Sequence, residues 1–254
     1  MLEGSNVVVL DLEVLRSPDD CRHCHQPLEE HTDSRFCLIP VDERPLSPVA
    51  TQFTPLGWNN KPALGLSTGC YYDYFDSRLY FFDRHTLEAT IVAFVERACL
   101  LVGFNSVSFD MPLMRGLLRQ EADALRFSES AGDLFRSGVL IEICDRFKLL
   151  CATSYDILAE IWKVDAESKF VRGLNSLDAI SQANGLPAKA MTGASAPRLW
   201  AEGRYAEVAN YNMEDVRKTR WLFEKVCLGQ PILRGNGTAI TLPPPAGLET
   251  LKLL

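Results

Sequence analysis

The sequence predicts an α/β fold in which a mixed sheet carries helices on both faces, and three observations lead there. Val7-Val8-Val9-Leu10 is a β-branched run, apolar on both faces and too short for a helix, as a buried central strand must be. From Leu64 the pattern alternates, with Leu64, Leu66, Thr68, Cys70 and Tyr72 on one face; residues 79–82 follow a turn at Asp76-Ser77, and the two runs make a β-hairpin. Beyond the hairpin, helical stripes alternate with short apolar runs, the pattern of βα units whose strands lie parallel.

The first strand ends in Asp11-Leu12-Glu13. Residues 16–62 then hold seven prolines, a Cys/His cluster and little periodicity, and read as an irregular insertion. Residues 86–98 place Ile91, Phe94, Val95 and Ala98 at helical spacing, and 99–102 form a short strand that leaves through Gly103-Phe104-Asn105. Residues 111–120 carry Met111, Met114, Leu117 and Leu118 on one helical stripe, with Pro112 in the first turn, where its missing N–H is not needed. A further helical stretch precedes an apolar strand read at 147–151. Residues 154–163 and 177–184 read as helices with Ser caps, the second closed by Gly185-Leu186-Pro187. A long helix spans about 204–226. The order gives three antiparallel strands continued by parallel ones in a domain over 1–228, with 16–62 inserted in it; residues 229–254, with Gly235-Asn-Gly237 and Pro243-Pro-Pro245, read as an irregular tail.

Composition sets limits on function. With 254 residues, 47% hydrophobic and 23% charged, the chain has the make-up of a globular protein. No apolar run approaches the roughly 18–20 residues of a membrane span, and no basic residue precedes Val7, so neither an anchor nor a secretory signal is read and no membrane is expected. A formal net charge of -7 excludes holding nucleic acid on a broad basic surface; a polyanion would need a divalent metal or a small basic patch. Eight cysteines without a signal point to a reducing compartment, the cytoplasm. Cys70, Cys99, Cys144, Cys151 and Cys227 lie in apolar segments, as small buried hydrophobes do.

Asp11 and Glu13 are two apart on a strand and therefore share a face at its carboxyl end. Alone, such a pair reads as a solvated strand end. Asp110, after Asn105 and Phe109, lies where a strand feeds a helix and alone reads as an N-cap. Tyr211 and Asp215 are spaced i,i+4 on the long helix, with Glu207 one turn earlier on the same stripe. Together Asp11, Glu13, Asp110 and Asp215 are four carboxylates that this topology can bring to one sheet edge, the oxygen shell that Mg²⁺ or Mn²⁺ takes when substrate phosphate completes it.

Val-Val-Leu-Asp11-Leu-Glu13, Val-Gly-Phe-Asn105-Ser-Val-Ser-Phe109-Asp110 and Tyr211-Asn-Met-Glu-Asp215 resemble, in order, the three exonuclease motifs of the DEDD superfamily in its Tyr-containing branch, on a ribonuclease H-like fold. Residues 173–204 resemble the approach to the third motif in exonucleases related to the proofreading domain of family-B DNA polymerases, and are similar to ribonuclease H-like proteins associated with helicases. The resemblance covers 7–14 and 63–227. It implies a 3′-to-5′ exonuclease acting on single-stranded DNA or RNA with a free 3′ end, through two Mg²⁺ or Mn²⁺. It also implies roles: Asp11 bridges both metals, Glu13 and Asp215 hold the one nearer the nucleophile, and Asp110 acts on the other. Tyr211 orients or deprotonates the attacking water, and Leu12, Asn105 and Phe109 contact the terminal nucleotide. The sugar of the substrate and a helicase or polymerase partner stay open.

The departure from that pattern is Cys21-x2-Cys24-x6-His31-x5-Cys37, three thiolates and an imidazole suited to tetrahedral structural zinc, with His23 or His25 as substitutes for His31. A competing reading is a catalytically silent nucleic-acid-binding or protein-interaction module that uses this insertion. His85 reads as a cap or surface residue, and Trp162, Trp200 and Trp221 as core. Arg217, Lys218 and Arg220 read as a solvated helix face or phosphate contacts; Lys189 and Arg198 rank below them.

Overall fold

A computed structural model of the chain describes residues 2–20, 36–38, 50–52, 56–171, 173–189 and 191–248. A five-stranded mixed sheet forms its centre: β1 (Val7–Val14), β4 (Leu66–Asp73), β5 (Arg78–Phe82), β6 (Leu100–Gly103) and β7 (Tyr155–Asp156), in the spatial order β5-β4-β1-β6-β7. β4 pairs antiparallel with both β1 and β5, while β6 lies parallel to β1 and to β7. This is the ribonuclease H-like mixed sheet that the sequence predicts.

The alternation of β1 decides what each face packs against. Val8, Leu10, Leu12 and Val14 enter one core with α2 (Leu87–Glu96), α3 (Asp110–Leu125) and α4 (Ala131–Cys151). Val7 and Val9 enter the other with α5 (Ile157–Val164), α6 (Leu177–Ala183) and α8 (Tyr205–Cys227). Asp11 and Glu13 follow Val9 on that second face. On α8 the buried stripe carries its polar residues Tyr211, Asn212 and Asp215 in the first half and is apolar later, in Leu222, Phe223 and Val226. Its apolar half anchors the helix to the sheet, and its polar half lies over the end of β1.

Several expectations change. The run 147–151 is the last turn and a half of α4, not a strand: Leu140, Cys144 and Phe147 are buried at helical spacing while Leu149 is exposed. The fifth strand is the two-residue β7, inside the segment read as a helix, and α5 is capped by Asp156 rather than by serine; Ser176 does cap α6. A register shift between Glu13 and Val14 leaves Ser67 as the extra residue of β4, which turns Leu66 to the face opposite Cys70 and Tyr72; Leu64 belongs to the short helix α1 (Lys61–Leu64).

The expected irregular tail contains a small antiparallel pair, β8 (Ile232–Leu233) with β9 (Ala239–Ile240), and buries Ile232, Ile240 and Leu242 in the second core. In the segment read as an irregular insertion, β2 (Phe36–Leu38) pairs antiparallel with β3 (Ala50–Gln52). Cys37 lies on β2; Cys21, Cys24, His31, His23 and His25 lie outside the described residues, and so does the zinc site they were read to form. Among the described residues no helix is long and apolar enough to cross a membrane.

Candidate active site

Three of the four predicted carboxylates converge. Asp11 and Glu13 from β1 and Asp215 from α8 each offer a carboxylate oxygen within 4.8 Å of the others. Asp110 approaches from the opposite core. Phe109 is the N-cap position of α3, so Asp110 is its first residue rather than the cap, and its carboxylate accepts hydrogen bonds from its own backbone N–H and that of Leu12. It lies outside the tight trio but near enough for its charge to act on Asp11 and Glu13. Glu207 is elsewhere, exposed and paired with Arg204 at 2.6 Å.

The loop that presents Asp110 is held from below. At Gly103 a Cβ would come within 2.4 Å of Ser106, so only glycine allows the chain to fold back there. Asn105 takes a left-handed φ of 66°. The buried Asp156 carboxylate then accepts the N–H groups of Asn105 at 2.9 Å and Val107 at 3.0 Å, and those of Leu158 and Ala159 at the start of α5. One side chain thus ties the loop before Asp110 to the end of β7.

Four acids this close work against their own ionisation. Burial, followed by the charges of Asp110, Asp215 and Glu13, raises Asp11 well above the ordinary carboxylate range, and Glu13 rises for the same reasons. Burial pushes Asp110 up to about 7, with help from Asp156 and against its backbone hydrogen bonds. Asp215 is also raised by burial, and the lysines near it oppose the shift. Burial and the surrounding carboxylates hold the Tyr211 phenol far above its usual value, so it is a neutral hydroxyl.

Lys189 supplies the cation beside this cluster. Its ammonium donates to Asp215 and, at 2.9 Å, to the Tyr211 hydroxyl, and sits 4.9 Å from the centroid of the Tyr211 ring. Its position before the last helix gives no spacing signal, which is why the sequence ranks it low. Asn212 is buried and donates its carboxamide N–H to Asp11 at 2.7 Å. Lys218 is not on a solvated face: it is 5% exposed, its ammonium makes no hydrogen bond among the described residues, and its charge acts on Asp215. His85 is exposed, and Trp162, Trp200 and Trp221 are half-buried against the cores.

Leu12, Asn105 and Phe109 line one cleft of about 450 Å³ that opens from Glu13. The sheet order, the carboxylate cluster and the tyrosine on α8 agree with a comparison of sequences: residues 83–239 match the model of a family described as a predicted 3′-5′ exonuclease related to the exonuclease domain of PolB. The chain belongs to this family. No curated protein and no solved structure matches it. The family match contains Asp110, Tyr211 and Asp215; Asp11 and Glu13 lie upstream of it, and the central position of β1 brings them to the same place.

The exonuclease family's implied metals can be tested against these residues. One oxygen of Asp215, Oδ1, is buried and has no partner among the described residues; burial raises Asp11, Glu13 and Asp215, and the charges of neighbouring carboxylates raise Asp11 and Glu13 further. Hard oxygen donors with unspent lone pairs and excess negative charge fit a divalent cation such as Mg²⁺ or Mn²⁺.

Proposed function

We propose that the chain is a metal-dependent 3′-to-5′ exonuclease that hydrolyses phosphodiester bonds of single-stranded nucleic acid. The convergence of Asp11, Glu13 and Asp215 carries this reading, because three buried carboxylates that share little more than Lys189 and the charge of Lys218 work against their own ionisation, and their charge would repel a polyanion. That cost also weighs against a silent binding module. Asp11, Glu13 and Asp215, with Asp110 from the other side, would hold two Mg²⁺ or Mn²⁺ ions. Bound there, divalent metal acidifies water and stabilises the charge of the phosphoryl transition state and leaving oxygen.

The remaining groups bind and orient. The Tyr211 hydroxyl positions the attacking water, with Lys189 donating to it and fixing its direction. Asn212 fixes the carboxylate of Asp11. Leu12, Asn105 and Phe109 receive the terminal nucleotide in the adjoining cleft. Cys70, Cys99, Cys144, Cys151 and Cys227 are free thiols, in keeping with a reducing compartment such as the cytoplasm. A Cys21, Cys24, His31, Cys37 zinc site belongs to the same reading, and metal analysis of the reduced protein tests it by finding or failing to find one zinc per chain.

The experiment is digestion of 5′-labelled single-stranded DNA and RNA in Mg²⁺, in Mn²⁺ and in chelator. The expected result is a ladder shortening from the 3′ end in metal only, blocked by a 3′-terminal phosphate. Binding that survives in chelator, with no cleavage under either metal, would replace the exonuclease with the binding module.

A further inference from the structure

The cleft beside the carboxylates has a second aromatic wall that the exonuclease motifs do not include. Trp58 and Lys61 line it together with Glu13, Asn105 and Phe109. Trp58 is 57% exposed, so most of its indole is not engaged by the core. Its ring meets Phe109 edge-on, with centroids 5.6 Å apart and planes at 67°, and the two rings form a corner with one broad face open. Lys61, at the start of α1, adds a positive charge to the same cleft.

Trp58 is held in this place by its neighbours. The N–H of Leu56 donates to the carbonyl of Asp20 at 2.9 Å and that of Gly57 to Pro18 at 2.8 Å, which joins the two ends of the inserted segment. Leu56 is buried in the core beneath, and Gly57 takes a φ of 68°, so the chain turns sharply between an anchored leucine and an exposed tryptophan. A large aromatic positioned at the rim of a polar cleft, beside a cation and next to a site for phosphate chemistry, matches a flat base with an attached phosphate.

We propose that Trp58 is a substrate-binding residue: its indole face stacks on the base of the 3′-terminal nucleotide, with Lys61 toward that nucleotide's phosphate. This rests on the exonuclease reading of the adjacent carboxylates. In a duplex the terminal base is paired and stacked on its neighbour, whereas an unpaired base can be splayed onto an aromatic side chain. Trp58 therefore favours frayed or single-stranded ends of any sequence, since every base has a π-face. It lies in the connection between β1 and β4, outside the matched residues 83–239.

The test measures steady-state cleavage by the full chain of two 5′-labelled single-stranded oligonucleotides, one ending in an ordinary nucleotide and one in an abasic 3′ residue. On the ordinary end Trp58→Ala raises KM about tenfold while kcat stays within about twofold, and Trp58→Phe recovers most of the loss. On the abasic end wild type and Trp58→Ala are alike. An unchanged KM on the ordinary end, or an equal KM loss on both ends, overturns the proposal. If the wild type cleaves neither oligonucleotide, the exonuclease reading fails instead; base stacking is then read separately as quenching of a 3′-terminal 2-aminopurine by wild type, and quenching that Trp58→Ala leaves intact overturns the role of Trp58.

Discussion

Asp110 ties the electrostatics of single residues to something measurable. Its folded value is near 7 against an unfolded value near 4, so between those limits the folded chain binds more protons than the unfolded one. Without metal, its contribution to stability therefore falls as pH rises from about 4 to about 7 and is fully unfavourable above that. Asp110→Asn removes the charge, and in chelator its melting temperature should exceed that of wild type by several degrees at pH 8 and by clearly less at pH 5. An advantage equal at both values would show that Asp110 is not the strained acid described here. At this scale the sequence revealed residues whose chemistry shows in spacing, such as Asp11 with Glu13 and Tyr211 with Asp215. Lys189 ranked low and Asn212, Asp156 and Trp58 were silent because each acts through a partner distant in the chain, and closeness in space leaves no periodic trace.

At the scale of elements, Asp156 links two pieces of backbone, the loop before Asp110 and the first turn of α5. Asp156→Ala leaves four N–H groups without this acceptor, and a cost of at least about 2 kcal/mol is expected in denaturant unfolding. With Mn²⁺ present, kcat should fall as well, since the loop that sets Asp110 loses its tie. A variant with wild-type stability and kcat would remove Asp156 from the account. The long elements were legible because their stripes run over several turns: α8 is seen at Tyr205–Cys227 where 204–226 was read. The errors fall where pattern is short. A five-residue stretch that is mostly apolar cannot distinguish a helix end from a strand, so 147–151 was misread, and the two residues of β7 are too few to alternate. The bulge at Ser67 was hidden because Thr68, midway between Leu66 and Cys70, fits a strict alternation that puts all three on one face.

The whole molecule divides its work between two cores on either side of the sheet. One carries α3 with Asp110, the other α8 with Tyr211 and Asp215, and β1 between them carries Asp11 and Glu13. The carboxylate cluster is thus an edge assembled from elements of both cores. The central claim is that these acids perform metal-dependent hydrolysis from a 3′ end. The most direct test is release of nucleoside monophosphate from a 3′-labelled single strand in Mn²⁺, by wild type, Tyr211→Phe and Asp11→Asn side by side. Wild type should release the terminal nucleotide, Tyr211→Phe should do so more slowly by about tenfold to a hundredfold, and Asp11→Asn should release none above background. Equal release by Asp11→Asn and wild type in matched preparations would contradict the assignment of this cluster as the active site.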